Sequence, residues 1–183
     1  MKDIDGLFKA LQLKGIERAG RVGSRQESTA EHVYGCMILA EYFLPHVEGI
    51  DKLKVFRMLL YHDMVEIEAG DTFILDAKGR KDKAEREREA LDSLSGELPS
   101  HVGSSFRDIW TEYEEGNSLE ARFCQAIDAL EPVVHHLKQV DYVIECHFTE
   151  DVLRKKKGSM LKEFPEMLKM FNEIIDQWKS KGM

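Results

Sequence analysis

Apolar residues recur along the chain at intervals of three and four, without a convincing period-2 alternation, so the pattern predicts helix after helix and an all-α fold. Asp3 can cap a first helix with Ile4, Leu7, Phe8 and Leu11 on one stripe. Residues 15–27, punctuated by Gly15, Gly20 and Gly23, read as a loop. Ser28 and Glu31 have capping-box spacing and open a second helix carrying Val33, Met37, Ile38 and Ala40. A third helix is expected from near Asp51 to about Glu66, followed by a loop over residues 69–81. Lys83–Leu94 is so densely charged that it suits an exposed helix with i,i+4 pairs. Val102, Phe106, Ile109, Trp110 and Tyr113 form the inner face of the next helix, which ends near Gly116. The helix after Ser118 buries Phe123, Ile127 and Leu130, and Pro132 should interrupt and kink it close to Asp128. Two more helices are expected, from about Val140 to Arg154 and from Pro165 to Lys179. In the second, Met167, Met170, Phe171, Ile174 and Trp178 form a stripe suited to a core or a dimer interface.

Neither a repeat nor a linker divides the 183 residues, which predicts one domain over 1–183, with the helices of 140–183 completing the bundle. No apolar run approaches the ~20 residues of a membrane span and the N-terminus lacks a signal-peptide pattern, so a cytoplasmic protein is expected. Cys36, Cys124 and Cys146 are odd in number and widely spaced, which suits core thiols rather than disulfides. A net charge of −8 argues against a nucleic-acid surface. The single basic run, Arg154 to Lys157, is expected to complement the negative end of its helix. An anionic small molecule would have to be drawn in by a metal and local arginines against the global charge.

Histidine and aspartate at apolar-face positions carry the candidate chemistry. His62-Asp63 alone is a weak motif. It follows Met58-Leu59-Leu60-Tyr61, however, and an ionisable pair in such a setting costs several kcal/mol unless paired or metal-bound. His32 occupies the second helix and Asp128 the one before Pro132, so three helices bring ligand types toward their inner faces, which suggests a shared cation. Two imidazoles and two carboxylates suit manganese, cobalt, iron, nickel or zinc, with magnesium also compatible. Four ligands leave open positions for water and a substrate oxygen, as catalysis requires. His46, His101, His135, His136 and His147 lack such company and read as structural or surface residues.

The order His32, His62-Asp63, Asp128 resembles the H…HD…D signature of the HD-domain phosphohydrolases, closest to the 5'-deoxynucleotidase branch. Glu27 to His32 echo its ESVSEH-type segment, with Thr29 in place of the usual aliphatic residue. His62-Asp63-Met64-Val65-Glu66 with Gly70-Asp71 matches HDMxExxxGD. Trp110, Glu112, Tyr113, Glu114, Glu120, Ala121, Phe123 and Asp128 echo a downstream pattern, with Arg122 for lysine. The resemblance covers about residues 5–135. It implies an all-α homodimer that uses one divalent ion to hydrolyse nucleoside 5'-monophosphates, with His32, His62, Asp63 and Asp128 as ligands. It also implies that Glu66 and Asp71 act around the attacking water and the substrate, and that Arg18 holds phosphate. Arg21 stands where relatives often carry tryptophan, and Arg25 is a third cation of the same segment. Other HD chemistries, on nucleoside triphosphates or cyclic nucleotides, and a non-catalytic nucleotide sensor are the alternatives. The short loops offer few cations for a triphosphate, and a sensor needs neither Glu66 nor Asp71.

Overall fold

The computed structural model describes residues 2–183. Its helices are α1 (Lys2–Ala10), α2 (Thr29–Phe43), α3 (Lys52–Tyr61), α4 (Glu66–Ala69), α5 (Lys83–Glu97), α6 (Ser100–Glu115), α7 (Leu119–His135), α8 (Val140–Glu145), α9 (Glu150–Leu153), α10 (Ser159–Leu161) and α11 (Pro165–Ser180). Helix α7 is the central element: α2, α3, α6, α10 and α11 all pack on it. Its most buried face is largely apolar, with Ala121, Phe123, Cys124, Ala126, Ile127 and Leu130 fully buried. A second apolar cluster joins Met64 and Val65 to Ala90, Leu91 and Leu94 of α5 and to Phe106 and Trp110 of α6. The expectation that α5 is an exposed charged helix therefore fails on one face. Its Lys83–Glu87 pair forms as anticipated, while its few apolar residues fill that cluster.

Local sequence explains most helix ends. Ser28 accepts from Glu31 N while Glu31 accepts from Ser28 N, which completes the capping box of α2. Asp3 lies inside the first turn of α1 rather than at its cap. The stripe of Ile4, Leu7, Phe8 and Leu11 is exposed, and only Gly6 of α1 is buried.

Four further expectations are corrected. Residues 15–27 are not a loop but include an antiparallel hairpin of β1 (Glu17–Val22) and β2 (Arg25–Ser28), turned at Gly23, whose φ of 62° suits a residue without Cβ. Its strands, ERAGRV and RQES, are mostly polar and carry no apolar alternation. The third helix stops at Tyr61, and His62 to Val65 form a turn before α4. Pro132 does not end α7, which runs one turn further to His135. The predicted helix 140–154 breaks after Glu145: His147 adopts φ 60°, Phe148 N bonds to Val143 O and His147 N to Ile144 O. That is a Schellman termination with histidine in the position that usually takes glycine, which is why no breaker was visible in the sequence.

Candidate active site

His32, one turn into α2, and Asp128, in the middle of α7, face the end of α3, where His62 and Asp63 lie. His32 Nε2 is 3.0 Å from Asp128 Oδ1 and 3.7 Å from Asp63 Oδ2, and His62 Nε2 is 3.3 Å from Asp63 Oδ2. The outer atoms of these groups are already committed. His62 Nδ1–H donates to Leu59 O at 2.8 Å, His32 Nδ1–H to Glu131 Oε2 at 2.8 Å, and Tyr113 O–H to Asp128 Oδ2 at 3.2 Å. His32 Nε2, His62 Nε2 and Asp128 Oδ1 are thus turned toward one centre, joined by Asp63 Oδ2, which also accepts from Arg18 Nη1. His62 Nε2 is buried without any hydrogen-bond partner, an orphan of the kind that a cation satisfies. Burial is the largest influence on His62 and opposes charge, yet Asp63, Cys36 and Asp128 together outweigh it and push this imidazole up to about 9. The pocket stabilises positive charge at its centre, and the donor set fits a borderline divalent ion.

Asp63 lies outside the tightest group of ligand atoms, in which those of His32, His62 and Asp128 are within 4.8 Å of one another and the fourth member is Cys36. Its Sγ is 3.5 Å from His32 Nε2 and 4.0 Å from Nδ1, so it rests against the ring rather than along the Nε2 lone pair. It remains the core thiol expected of it.

The acidic pair and the arginine meet at the same place. Glu66 opens α4, is 4% exposed, and accepts from Thr29 O–H at 2.8 Å. Arg18 Nη1 donates to Asp63 Oδ2 at 3.0 Å and lies 3.7 Å from Asp71 and 3.9 Å from Glu66. A register shift between Glu17 and Arg21 puts Arg18 on an irregular stretch of β1, where a bulge re-aims a side chain. Burial, joined by the neighbouring Asp63 charge, raises the carboxyls of Glu66 and Asp71 above the usual range, while Arg18 opposes the rise. Arg21 and Arg25 do not reach this group. Arg21 stacks over Tyr142 at 5.0 Å, and the exposed Arg25 is paired with Glu31 at 2.8 Å.

Several site neighbours escaped the sequence reading. Glu131, three residues after Asp128 on the same face, was the legible one: it orients His32 and packs against Gly35, where a Cβ would collide with its carboxylate. His135 and His136 prove structural, as expected, with most of their partners upstream. His135 Nδ1 is 3.1 Å from Glu27 and 3.7 Å from Glu131, and its Nε2 donates to Arg21 O at 2.8 Å. His136 Nδ1 donates to Pro132 O at 2.8 Å, and its ring stacks on Tyr142, whose O–H donates to Ala19 O. Helix α7 thereby clamps the strand that carries Arg18.

The bonds from Glu131 and Glu27 hold His135 up at about 10. Because this lies above the unfolded value near 6.5, the stabilisation is fully present below pH 6.5 and fades as pH rises toward 10. Between pH 6 and pH 9 the wild type should therefore lose roughly 1.5–3 kcal/mol more stability than His135→Gln, the range for hydrogen bonds to charged groups. Urea unfolding at the two pH values measures this, and parallel losses in both proteins would contradict it.

The groups open onto one cavity of about 420 Å³. Its lining includes Arg18, Arg80, Lys83, Lys156 and Lys157, so the site is richer in cations than the short loops suggested.

An all-helical core that gathers two imidazoles, two carboxylates and an acidic pair at one cavity is the framework of a metal-dependent hydrolase. Comparison with known proteins gives the same class. The HD-domain family profile matches residues 10–168, well beyond the stretch of 5–135 that the motifs covered. The chain belongs to the HD-domain family. It is 28% identical over 166 residues to the 5'-deoxynucleotidase HDDC2 of Bos taurus, spanning 89% of this chain and 79% of the relative. A 32% identity over 130 residues links it to the 5'-deoxynucleotidase YBR242W of Saccharomyces cerevisiae, covering 67% of this chain and 54% of that one. Among solved structures, a "predicted metal-dependent phosphohydrolase" from Magnetospirillum magnetotacticum superposes with a TM-score of 0.89 at 31% identity, covering 99% of this chain and 93% of the other.

Proposed function

We propose that this chain, read as one HD domain over residues 1–183, holds a divalent ion with His32, His62, Asp63 and Asp128 and hydrolyses (deoxy)nucleoside 5'-monophosphates to nucleoside and phosphate. The observation that carries the reading is the buried, unpartnered Nε2 of His62, converging with His32 and Asp128, whose other sides are already hydrogen-bonded, and with Asp63 Oδ2. The ion, one of manganese, cobalt, iron, nickel, zinc or magnesium, supplies positive charge against the phosphoryl oxygens and lowers the pKa of a bound water. Arg18 orients the phosphate; its ion pairs all run through Nη1, so the Nη2 edge remains for a second contact. Glu66, desolvated and fixed by Thr29, and Asp71 beside it hold and pass the proton that leaves the attacking water. The names of the nucleotidase relatives support a nucleotide substrate.

The reading extends to a cytoplasmic homodimer. Supporting it are three free cysteines and the exposed apolar residues Ile4, Leu7 and Phe8 of α1 and Tyr34, Ile38 and Tyr42 of α2; no helix of the described residues is long and apolar enough to cross a membrane. Phosphate release from a panel of nucleoside mono-, di- and triphosphates and cyclic nucleotides, each with several divalent ions, tests the reaction. Metal-dependent turnover of monophosphates is expected. Preference for triphosphates or cyclic substrates, or binding without turnover, would contradict it.

A further inference from the structure

Of the four consecutive basic residues after α9, Arg154, Lys155 and Lys156 are exposed, as a helix-end charge cluster should be. Lys157 is not: it is 8% exposed and lines the cavity. The cause is local geometry. Arg154–Gly158 forms a π-helical turn, and the extra residue per turn rotates the fourth side chain off the solvent face. A lysine ordinarily extends its ammonium to water. This one has Asp128 and Glu131 in its surroundings but no hydrogen bond or ion pair among the described residues. Unlike Arg18, it is not engaged with Asp63, Glu66 or Asp71. An ammonium held at a cavity wall without a protein partner is available to donate to what enters the cavity.

The surfaces around it indicate what enters. His136 and Tyr142 stack with centroids 4.9 Å apart and planes 25° from parallel, and both line the cavity. Phe73 and Phe148, from two different loops, also line it and meet edge to face at 5.8 Å. Flat aromatic walls with one strong donor suit a planar heterocycle that carries an acceptor oxygen at its edge. We propose that Lys157 is a specificity-determining residue that donates to a carbonyl oxygen of the substrate base, favouring nucleotides whose base carries such an oxygen over adenine, which has none. This rests on the nucleotide reading above.

The test compares wild type, Lys157→Met and Lys157→Arg on dTMP, dGMP, dAMP and the base-free p-nitrophenyl phosphate, with Tm measured for each protein. Lys157→Met should lower kcat/KM for dTMP and dGMP by about 10-fold or more, mainly through KM, and leave dAMP and p-nitrophenyl phosphate within about threefold, the scale of one charge-assisted hydrogen bond. Lys157→Arg should retain part of the preference. Removing the unpaired charge should also raise Tm, which loss of a merely structural lysine would not do. Equal losses on all four substrates, an unchanged profile, or a fall in Tm with uniform loss would overturn the assignment. A wild type that hydrolyses p-nitrophenyl phosphate but no nucleotide would overturn the nucleotide reading itself, a different and recognisable failure.

Discussion

Replacing Arg18 by alanine should reduce kcat/KM for a nucleoside monophosphate by at least ~10²-fold, because a bidentate contact that strengthens in the transition state is lost. The structure separates Arg18 from its two neighbours in the hairpin. Its guanidinium is partly buried beside Asp63, Glu66 and Asp71, whereas Arg21 lies over Tyr142 and Arg25 is an exposed partner of Glu31. Those three carboxylates keep Arg18 charged despite the burial that opposes charge. In a protein of net charge −8, a dianionic phosphate needs such a local cation. Lysine at this position should restore activity only partly, since a point charge cannot make two parallel contacts. Steady-state kinetics of the three alanine variants on one substrate, with metal content measured alongside, decide the matter. Near-normal activity in Arg18→Ala, or a larger loss at Arg21 or Arg25, would show that phosphate is held elsewhere.

Glu66→Gln should keep metal and substrate binding yet lower kcat by roughly 10²-fold or more, the usual scale of lost acid–base help. Glutamine preserves the volume of a 4% exposed side chain and a carbonyl oxygen to accept from Thr29, so the change is confined to the proton. Burial and Asp63 already bias this carboxyl toward holding a proton. Single-turnover and steady-state rates, read against bound metal, give the comparison. A rise in KM with kcat unchanged would make Glu66 a binding residue.

Much of this site could be read before any coordinates. The helical period put His32, His62 and Asp128 on inner faces, and burial there is what makes an ionisable side chain informative. The structure brings six of the seven sequence-derived site residues to one cavity wall and sets His32 behind it, 3.0 Å from Asp128. Less legible were features whose cause is tertiary. The hairpin has no alternating pattern because it is held by His135, His136 and Tyr142 rather than by a core of its own. Helix α8 ends at a histidine in a left-handed conformation, which no residue preference announces. Lys157 belongs to a run that reads as solvated charge, and only the π-helical turn turns it inward. Glu131 could have been found, since a glutamate three residues after a ligand-type aspartate on a buried face needs a partner, and His32 is that partner.

The account stands or falls on the four-ligand centre, and metal content in two variants tests it most directly. Elemental analysis after dialysis against buffered divalent ion should give one equivalent per chain for the wild type and for Cys36→Ser, whose sulfur rests against the His32 ring. Asp63→Ala should have lost it. Full occupancy in Asp63→Ala, or loss in Cys36→Ser with Asp63→Ala retained, would contradict the assignment.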